Sequence, residues 1–237
     1  MSAVVRVNWC STCGAGHNFG DQLTPVLLAH YGIRHVWAPP LRAQLLVVGS
    51  ILSKVPSGWR GTILGTGYIK PVTRRDLRRA RALAVRGALT RRQALLPATT
   101  PLGDPGILVP LLIDRAGPQV GDAVAPHYID HDLAGRHPGM AVIDILRDPV
   151  EVVRAIAGVQ GVLYTSSLHA LIAADALGVP HVLELADTIG GLHKFTDYAS
   201  AFGAAPIVPG QVHLTDRAAM EERQEVLDGL FRSLAAA

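Results

Sequence analysis

The stretch that decides the fold class is GVLYTSSLHALIAADALGVP, residues 161–180. A short apolar run at residues 161–164 leads through a serine turn into an apolar helical pattern at residues 168–177. The stretch ends on Gly178-Val179-Pro180, and a glycine followed by a proline is a common way to end a helix. Because a second apolar run follows at residues 181–185, the sequence predicts a strand, a helix and a strand, which is the repeating unit of a parallel sheet.

The same alternation extends over the rest of the chain. Short apolar runs bounded by Gly, Pro or Asn alternate with helical patterns of roughly ten to fifteen residues, as in α/β proteins. Further strands are predicted at residues 4–8, 45–48, 62–64, 82–85, 123–128 and 141–145. Further helices are predicted at residues 21–31, 74–81, 88–95, 149–157, 194–202 and 216–234.

A candidate linker lies between the two halves of the chain. Residues 114–122, DRAGPQVGD, combine glycine, proline and charge without periodicity. At roughly 150 residues per domain, a length of 237 residues predicts one large domain or two small ones, and the alternation on both sides of this linker favours two. The sequence therefore predicts an α/β protein with two Rossmann-like lobes, at residues 1–113 and 114–237, and a cleft between them.

The composition is that of a packed globular protein. Hydrophobic residues make up 49% of the chain and charged residues 17%, which argues against a disordered or fibrous protein. No run of about 18 residues lacks a glycine, a proline or a charge, so we expect no transmembrane segment. Residues 1–8 carry neither the basic start nor the apolar core of a signal peptide, and we expect a cytoplasmic location.

Arginine dominates the basic residues, since only Lys54, Lys70 and Lys194 are lysines. Eight of the arginines fall between Arg74 and Arg92, with no aromatic residue among them that could stack on bases. We therefore expect a solvated helix face there and no nucleic-acid partner. The planar guanidinium group suits carboxylate and phosphate, so an anionic ligand stays open.

Cys10 and Cys13 form a Cys-x-x-Cys pair after the first apolar run. That spacing is typical of a redox pair or of half a zinc site. A structural zinc site needs four ligands, and the chain has no second cysteine pair and only His17 close by. We expect two small thiols in a glycine-rich loop here, and no metal.

Ligands of open parallel sheets bind at the carboxyl ends of the strands, so the turns after strands are candidate sites. The turn at residues 14–21, GAGHNFGD, leads into a helix that Asp21 is predicted to cap. Its glycines allow a ligand to approach the backbone, and the helix N-terminus favours an anion. Asn18 and Asp21 are therefore candidates for sugar or phosphate contacts, unless the turn has only a structural role.

The turn at residues 164–169, YTSSLH, contains the second group of candidates. If Ser166 caps the helix that begins at Leu168, His169 lies in its first turn, close to unpaired backbone donors and the positive end of the helix dipole. That position favours a neutral imidazole, which can accept a proton, and it puts Ser166 and Ser167 beside the ring as donors to an anion. The alternative is a histidine half buried against a neighbouring strand.

Arg86 follows the predicted strand at residues 82–85 and is expected at the carboxyl edge of the sheet. This position separates it from the other arginines of the segment, which are expected on a helix face. An arginine at this edge binds an anion or forms an internal salt bridge, and the sequence leaves both open.

A set of short motifs stands in a particular order along the chain. The motifs are Asn18-Phe19-Gly20-Asp21, Val85-Arg86-Gly87, Leu102-Gly103-Asp104-Pro105, Ser166-Ser167-Leu168-His169-Ala170-Leu171, Gly178-Val179-Pro180 and Lys194-Phe195-Thr196-Asp197-Tyr198. Together, over about residues 15–205, they resemble the polysaccharide pyruvyl transferase family. Members of that family attach pyruvate from phosphoenolpyruvate to a sugar as a cyclic ketal.

The resemblance implies a fold similar to that of the two-lobed GT-B glycosyltransferases. It also implies that Arg86 and His169 bind phosphoenolpyruvate, with Ser166, Ser167 and Lys194 as further donor-site candidates. Family members often have an arginine immediately before the Leu-His pair, where this chain has Ser167. One cationic contact to the donor is therefore missing or comes from elsewhere, and Lys194 is the candidate for it.

The implied reaction needs no cofactor and no metal, and its partners are phosphoenolpyruvate and a sugar or lipid-linked glycan acceptor. Asn18 and Asp21 are expected to meet the acceptor hydroxyls. Two alternatives stay open: a nucleotide-sugar-dependent glycosyltransferase, which could use Arg86 against a diphosphate, and a non-catalytic relative. The last predicted helix, at residues 216–234, carries an apolar stripe that suits packing on the protein body or contact within a homo-oligomer.

Overall fold

The computed structural model describes residues 4–10, 18–72, 74–130, 132–185 and 190–237. In this part of the chain the strands form two five-stranded sheets. The first sheet contains β1 (Val5–Asn8), β2 (His35–Trp37), β3 (Leu45–Leu46), β4 (Thr62–Leu64) and β5 (Arg81–Ala84). The second contains β6 (Ala123–Ala125), β7 (Ala141–Val142), β8 (Leu163–Thr165), β9 (His181–Leu183) and β10 (Val212–His213).

Both sheets are predominantly parallel. The strand order is β2-β1-β3-β4-β5 in the first sheet and β10-β9-β8-β6-β7 in the second. All the pairings are parallel except that of β10, which lies antiparallel to β9 at the edge of its sheet. The strands of the two sheets fall on either side of residues 114–122.

Helices connect and cover the strands. The α-helices are α1 (Phe19–His30), α2 (Ala88–Gln93), α3 (Leu133–Arg136), α4 (Pro149–Ala157), α5 (Leu168–Ala176), α6 (His193–Ala199) and α7 (Arg217–Ala235). Short 3₁₀ helices lie at Pro40–Arg42, Leu52–Lys54, Pro105–Leu112 and Ser200–Phe202. None of the helices in the described ranges is long and apolar enough to cross a lipid bilayer.

The predicted α/β class is confirmed, and two parallel-dominated sheets are compatible with two Rossmann-like lobes. Each predicted strand overlaps an observed one. Two strands were not predicted, β2 and β10. β2 is largely exposed, so it shows no apolar alternation, and β10 is only two residues long.

The helix predicted at residues 74–81 is wrong. The backbone N–H of Arg75 donates to the carbonyl oxygen of Gln93, and that of Leu77 donates to the carbonyl oxygen of Ala94. The segment therefore bonds to the end of α2 and does not form the internal bonds of a helix. The Asp76 carboxylate accepts from the backbone N–H of Arg78 at 3.0 Å, a local turn bond that competes with helix formation. Arg81 already belongs to β5.

Two helices are capped by residues other than the predicted ones. α1 is capped by Asn18, whose side-chain oxygen accepts from the N–H of Gly20 at 3.0 Å, and Asp21 lies inside the first turn. α5 is capped by Ser167, not by Ser166. Ser166 bonds instead to the segment that follows the neighbouring strand β6, since its hydroxyl accepts from the backbone N–H of His127 at 2.9 Å.

One large apolar core extends over both sheets. Among its fully buried members are Val7, Leu23, Leu64, Leu163, Leu171 and Phe195.

The segment Pro105–Leu112 joins the lobes through this core, and α7 returns from the second lobe to pack on the first. Phe231 of α7 stacks on Tyr31 with ring centres 4.8 Å apart, and the Tyr31 hydroxyl donates to Asp228 at 2.7 Å. Packing of the last helix on the protein body is therefore what the structure shows.

The lobes pack closely against each other at Gly87, immediately before α2. A Cβ atom at this position would overlap with the main-chain carbonyl oxygen of Asp197 in α6. Backbone cannot move aside as a flexible side chain can, so the junction requires a residue without a Cβ here.

We expect Gly87→Ala to lower the free energy of unfolding by about 3 kcal/mol, because the added methyl group overpacks the junction. Gly229→Ala is the matched control: Gly229 lies inside α7 with no atom within 4 Å of an added Cβ. Alanine there should raise the free energy of unfolding by roughly 0.5–1 kcal/mol. Urea unfolding measures both, and equal stability of the Gly87→Ala variant and the wild type would contradict close packing at Gly87.

Candidate functional site

Polar side chains from the two lobes come together where the carboxyl ends of the strands of one sheet face those of the other. α1 of the first lobe and α5 of the second touch at their N-termini, where a Cβ on Gly20 would overlap with the ring of His169. Across the same boundary the backbone N–H of Phe19 donates to the carbonyl oxygen of Ile145 at 2.9 Å. We call this group the junction site; its members are Asp21, Arg86, His127, His169 and Lys194.

Arg86 lies beyond the end of β5 and is fully buried. Its Nε donates to Asp197 Oδ2 at 2.9 Å, and the two side chains form an ion pair with no exposed surface. Its Nη1 donates to the Ser50 hydroxyl at 2.7 Å, and its Nη2 donates to the carbonyl oxygen of Tyr68. Of the two possibilities for Arg86, the structure shows the internal salt bridge. Its contact with a donor anion stays a prediction.

Asp197, in the second lobe, neutralises the charge of Arg86. Its Oδ1 accepts from the backbone N–H of Thr90 at 2.8 Å, and its Oδ2 accepts from the Thr90 hydroxyl at 2.6 Å. The aspartate therefore joins α6 to both β5 and α2. Asp197 belongs to the Lys-Phe-Thr-Asp-Tyr motif, but its pairing with Arg86 was not predicted.

A second buried carboxyl group, Asp104, lies near the pair. Burial raises the pKa of Asp104 to about 6, against the opposing effect of Arg86 and of a hydrogen bond from the N–H of Gly106. That bond, at 2.9 Å, starts the 3₁₀ segment Pro105–Leu112. Asp104 thus positions the segment that joins the lobes.

His169 is buried in the first turn of α5, with 8% of its surface exposed. Burial and, to a smaller degree, the positive charges of Arg86 and Lys194 lower the pKa of His169 to about 3. The prediction of a neutral imidazole agrees with this direction, but the main cause is desolvation. Within the described ranges, His169 Nε2 is buried and has no hydrogen-bond partner.

Lys194 lies in the first turn of α6 and is 5% exposed. Burial and, to a smaller degree, Arg86 lower the pKa of its ammonium group to about 8, while Asp21 acts in the opposite direction. Its Nζ lies 5.1 Å from the centre of the Phe195 ring. No residue that the structure describes forms a hydrogen bond or a close ion pair with this ammonium group.

Asp21 is the acidic member of the junction site. Burial raises its pKa to about 6, and the charges of Lys54 and Lys194 oppose the rise. Its Oδ1 lies 3.6 Å from the position of a Cβ on Gly49, so the carboxylate faces the turn that follows β3. A carboxyl group with a pKa near neutrality can accept and return protons at physiological pH.

His127 was not predicted as a site residue. It follows β6, and its burial beside Lys194 lowers the pKa of the imidazole to about 4. Burial and the charge of Asp21 raise the pKa of the adjacent Tyr128. The signal was present in the sequence, because His127 is the first ionisable residue after a parallel strand, where ligands bind.

The remaining predicted residues have structural contacts. Asn18 and Ser167 cap α1 and α5, and Ser166 is fully buried against His127. Their contacts with a ligand stay predictions. Cys10 is buried just after β1 and is disulfide-bonded, so the expectation of a thiol there is wrong. Cys13 lies outside the described residues.

Within the described ranges, one group of side chains is arranged to hold a metal ion, and it lies away from the junction site. It consists of Asp175, His181 and His213. These residues were not predicted as ligands, because they lie on three elements and come together only in the fold.

Comparison of the chain with protein-family models, curated proteins and solved structures found no match. The geometry of the junction site therefore carries the functional argument together with the motif resemblance.

We expect Asp197→Asn to lower the free energy of unfolding by about 3–5 kcal/mol, because it leaves Arg86 as a buried cation without its partner. Asp114→Asn is the control, since Asp114 pairs with Arg154 at 2.9 Å but its side chain is 74% exposed. Exposed pairs contribute about 0–1 kcal/mol. Chemical denaturation of both variants measures the difference, and equal effects would show that the buried pair does not stabilise the junction.

Proposed function

We propose that this chain is a ketal pyruvyl transferase, which moves pyruvate from phosphoenolpyruvate to two hydroxyls of a sugar in polysaccharide or glycolipid biosynthesis. The observation that carries the proposal is the buried Lys194, which has no close counter-ion in the described residues, beside the unpartnered His169 Nε2. A cytoplasmic location belongs to the same proposal.

A buried cation without a close partner is costly, and an anionic ligand offsets that cost. Arg86 and Lys194 both bring positive charge to His169, and the two histidines of the site are neutral by desolvation. Phosphoenolpyruvate carries a phosphate and a carboxylate, so its charge complements such a site. Lys194 then supplies the cationic contact that Ser167 cannot.

The reaction balances without an outside reagent. Two acceptor hydroxyl oxygens bond to C2 of phosphoenolpyruvate, and the C2–O bond to phosphate breaks. The methylene carbon takes up one proton and becomes a methyl group. The two hydroxyls together lose two protons, of which one is found on the methyl group and the other on the released phosphate.

The junction residues divide this work in the proposal. Lys194 binds the donor anion, and His169 transfers a proton or contacts the phosphate. Asp21, with a pKa of about 6, accepts a proton from an acceptor hydroxyl, and Asn18 helps to orient the acceptor. The predicted contact of Arg86 with the donor anion is not part of this proposal. Because Arg86 is enclosed by Asp197 and Ser50, it is a positioning residue that keeps the two lobes in register.

Phosphoenolpyruvate at a hundred times its dissociation constant should stabilise the protein by about 2.7 kcal/mol. For a chain of this length that raises Tm by roughly 5–10 °C. Lys194→Met should abolish the shift and the release of phosphate in the presence of sugar diols. Lys70→Met is the matched control, because Lys70 is exposed and outside the junction site.

The pH dependence adds a second readout to the same experiment. Lys194 loses its proton as the pH rises through about 8, so phosphoenolpyruvate should bind more weakly above that pH in the wild type.

An unchanged rise in Tm with phosphoenolpyruvate in Lys194→Met would contradict the anion site. Stabilisation by a nucleoside diphosphate and not by phosphoenolpyruvate would favour a glycosyltransferase, and stabilisation by neither would favour a non-catalytic protein.

A further inference from the structure

Asp175, His181 and His213 converge at the far end of α5 from His169. Asp175 lies in the last turn of α5, His181 begins β9 and His213 ends β10. The two histidines stand directly opposite each other in the antiparallel β9–β10 pair. One ligand atom from each of the three side chains lies within 4.8 Å of the others.

His181 has the bonding pattern of a metal ligand. Its Nδ1 lies 3.3 Å from the carbonyl oxygen of Val179 and can donate a proton to it. The ring is fully buried, and its Nε2 has no hydrogen-bond partner in the described ranges. Metal-binding histidines commonly donate one ring N–H to a carbonyl and coordinate through the other nitrogen.

Asp175 is held rigidly in position. Its Oδ2 accepts from the Tyr198 hydroxyl at 2.7 Å and from the Thr215 hydroxyl at 2.5 Å. Its Oδ1 accepts from the backbone N–H of Thr215 at 2.7 Å. A carboxylate oxygen has two lone-pair positions, so Oδ1 keeps one for a further partner. These contacts orient the carboxylate as outer partners do around metal ligands.

His213 and a cavity complete the arrangement. The His213 ring is half buried, with its centre 5.2 Å from that of His181. A cavity of about 310 Å³ is bordered by Asp175, Leu214 and Thr215, next to this group.

We propose that Asp175, His181 and His213 bind one divalent transition-metal cation of the zinc type, and that water fills the remaining coordination position. Two imidazoles and one carboxylate are a donor set that suits Zn²⁺. Ligand atoms about 2.0–2.2 Å from zinc stand roughly 3.3 Å apart in a tetrahedron, so the three ligand atoms, which lie within 4.8 Å of one another, move closer together when the ion binds.

The ion joins the edge strand β10 to β9 and to α5. β10 is two residues long, and Thr215 immediately precedes Asp216, the cap of α7. A cation at this place therefore fixes the start of the helix that returns to the first lobe. The site is independent of the junction site and of the proposed reaction.

The test uses the full chain, freed of metal with a chelator and titrated with Zn²⁺ alone. We expect one equivalent to bind and Tm to rise, and excess chelator to reverse the rise. His213→Ala should weaken Zn²⁺ binding by about a hundredfold or more, since even outer-shell partners of metal ligands contribute about 10–100-fold. Substituted Co²⁺ should absorb as a nitrogen and oxygen site without thiolate charge transfer, which separates this group from the cysteine pair.

His35→Ala is the matched control, because His35 is also a half-buried histidine on an edge strand, in the other sheet. His35→Ala should bind Zn²⁺ as the wild type does. His213→Gln keeps the size and polarity of the side chain and replaces His213→Ala if the alanine variant does not fold. Absence of Zn²⁺ binding by the wild type, or equal binding by the His213 variants, would overturn the proposal.

Discussion

The Arg86–Asp197 ion pair is the constraint on which the junction of the two lobes depends. Both side chains are fully buried, and each lobe supplies one charge. Inside a protein such a pair is tolerated only when its geometry is good and its remaining donors and acceptors are satisfied. Thr90, Ser50 and the carbonyl of Tyr68 meet that requirement. The glycines at positions 67 and 87 are part of the same arrangement, since a Cβ at Gly67 would lie 2.6 Å from the guanidinium carbon of Arg86.

The shifted pKa values of the junction site result from the close packing of the two lobes. Because the lobes meet tightly, His169 and Lys194 lose most of their contact with water, and desolvation is the largest cause of the lowered pKa of each. Asp21 shows the opposite shift for the same reason, since burial penalises its charged form. Asp197 is committed to Arg86 and Thr90, so it does not neutralise Lys194 at close range. In the described ranges, the junction site thus holds a cation without a close counter-ion and a neutral imidazole whose Nε2 has no partner.

Much of the fold could be predicted from the sequence because apolar runs and helix-ending residues are local signals. The run at residues 161–164 and the Gly-Val-Pro end of α5 were correctly interpreted for that reason. The helix predicted at residues 74–81 failed because its backbone bonds to the end of α2, a contact that no local pattern contains. β2 was missed because its side chains are largely exposed.

The candidate site was predicted in part. The rule that ligands bind beyond parallel strands singled out Arg86, His169 and Asp21, which the structure brings near one another, and it would have singled out His127 as well. The pairing of Arg86 with Asp197 could not be foreseen, because 111 residues separate them along the chain. The same holds for His181 and His213, which meet only when β10 adds to the edge of the second sheet.

A double-mutant cycle on Arg86 and Asp197 tests most directly whether their interaction joins the lobes. The free energy of unfolding is measured for the wild type, Arg86→Met, Asp197→Asn and the double variant. If the pair couples the lobes, the double variant loses less stability than the sum of the single variants, by about 2 kcal/mol or more, whereas independent sites add within roughly 0.5 kcal/mol. Additive effects would contradict the central role given to this ion pair.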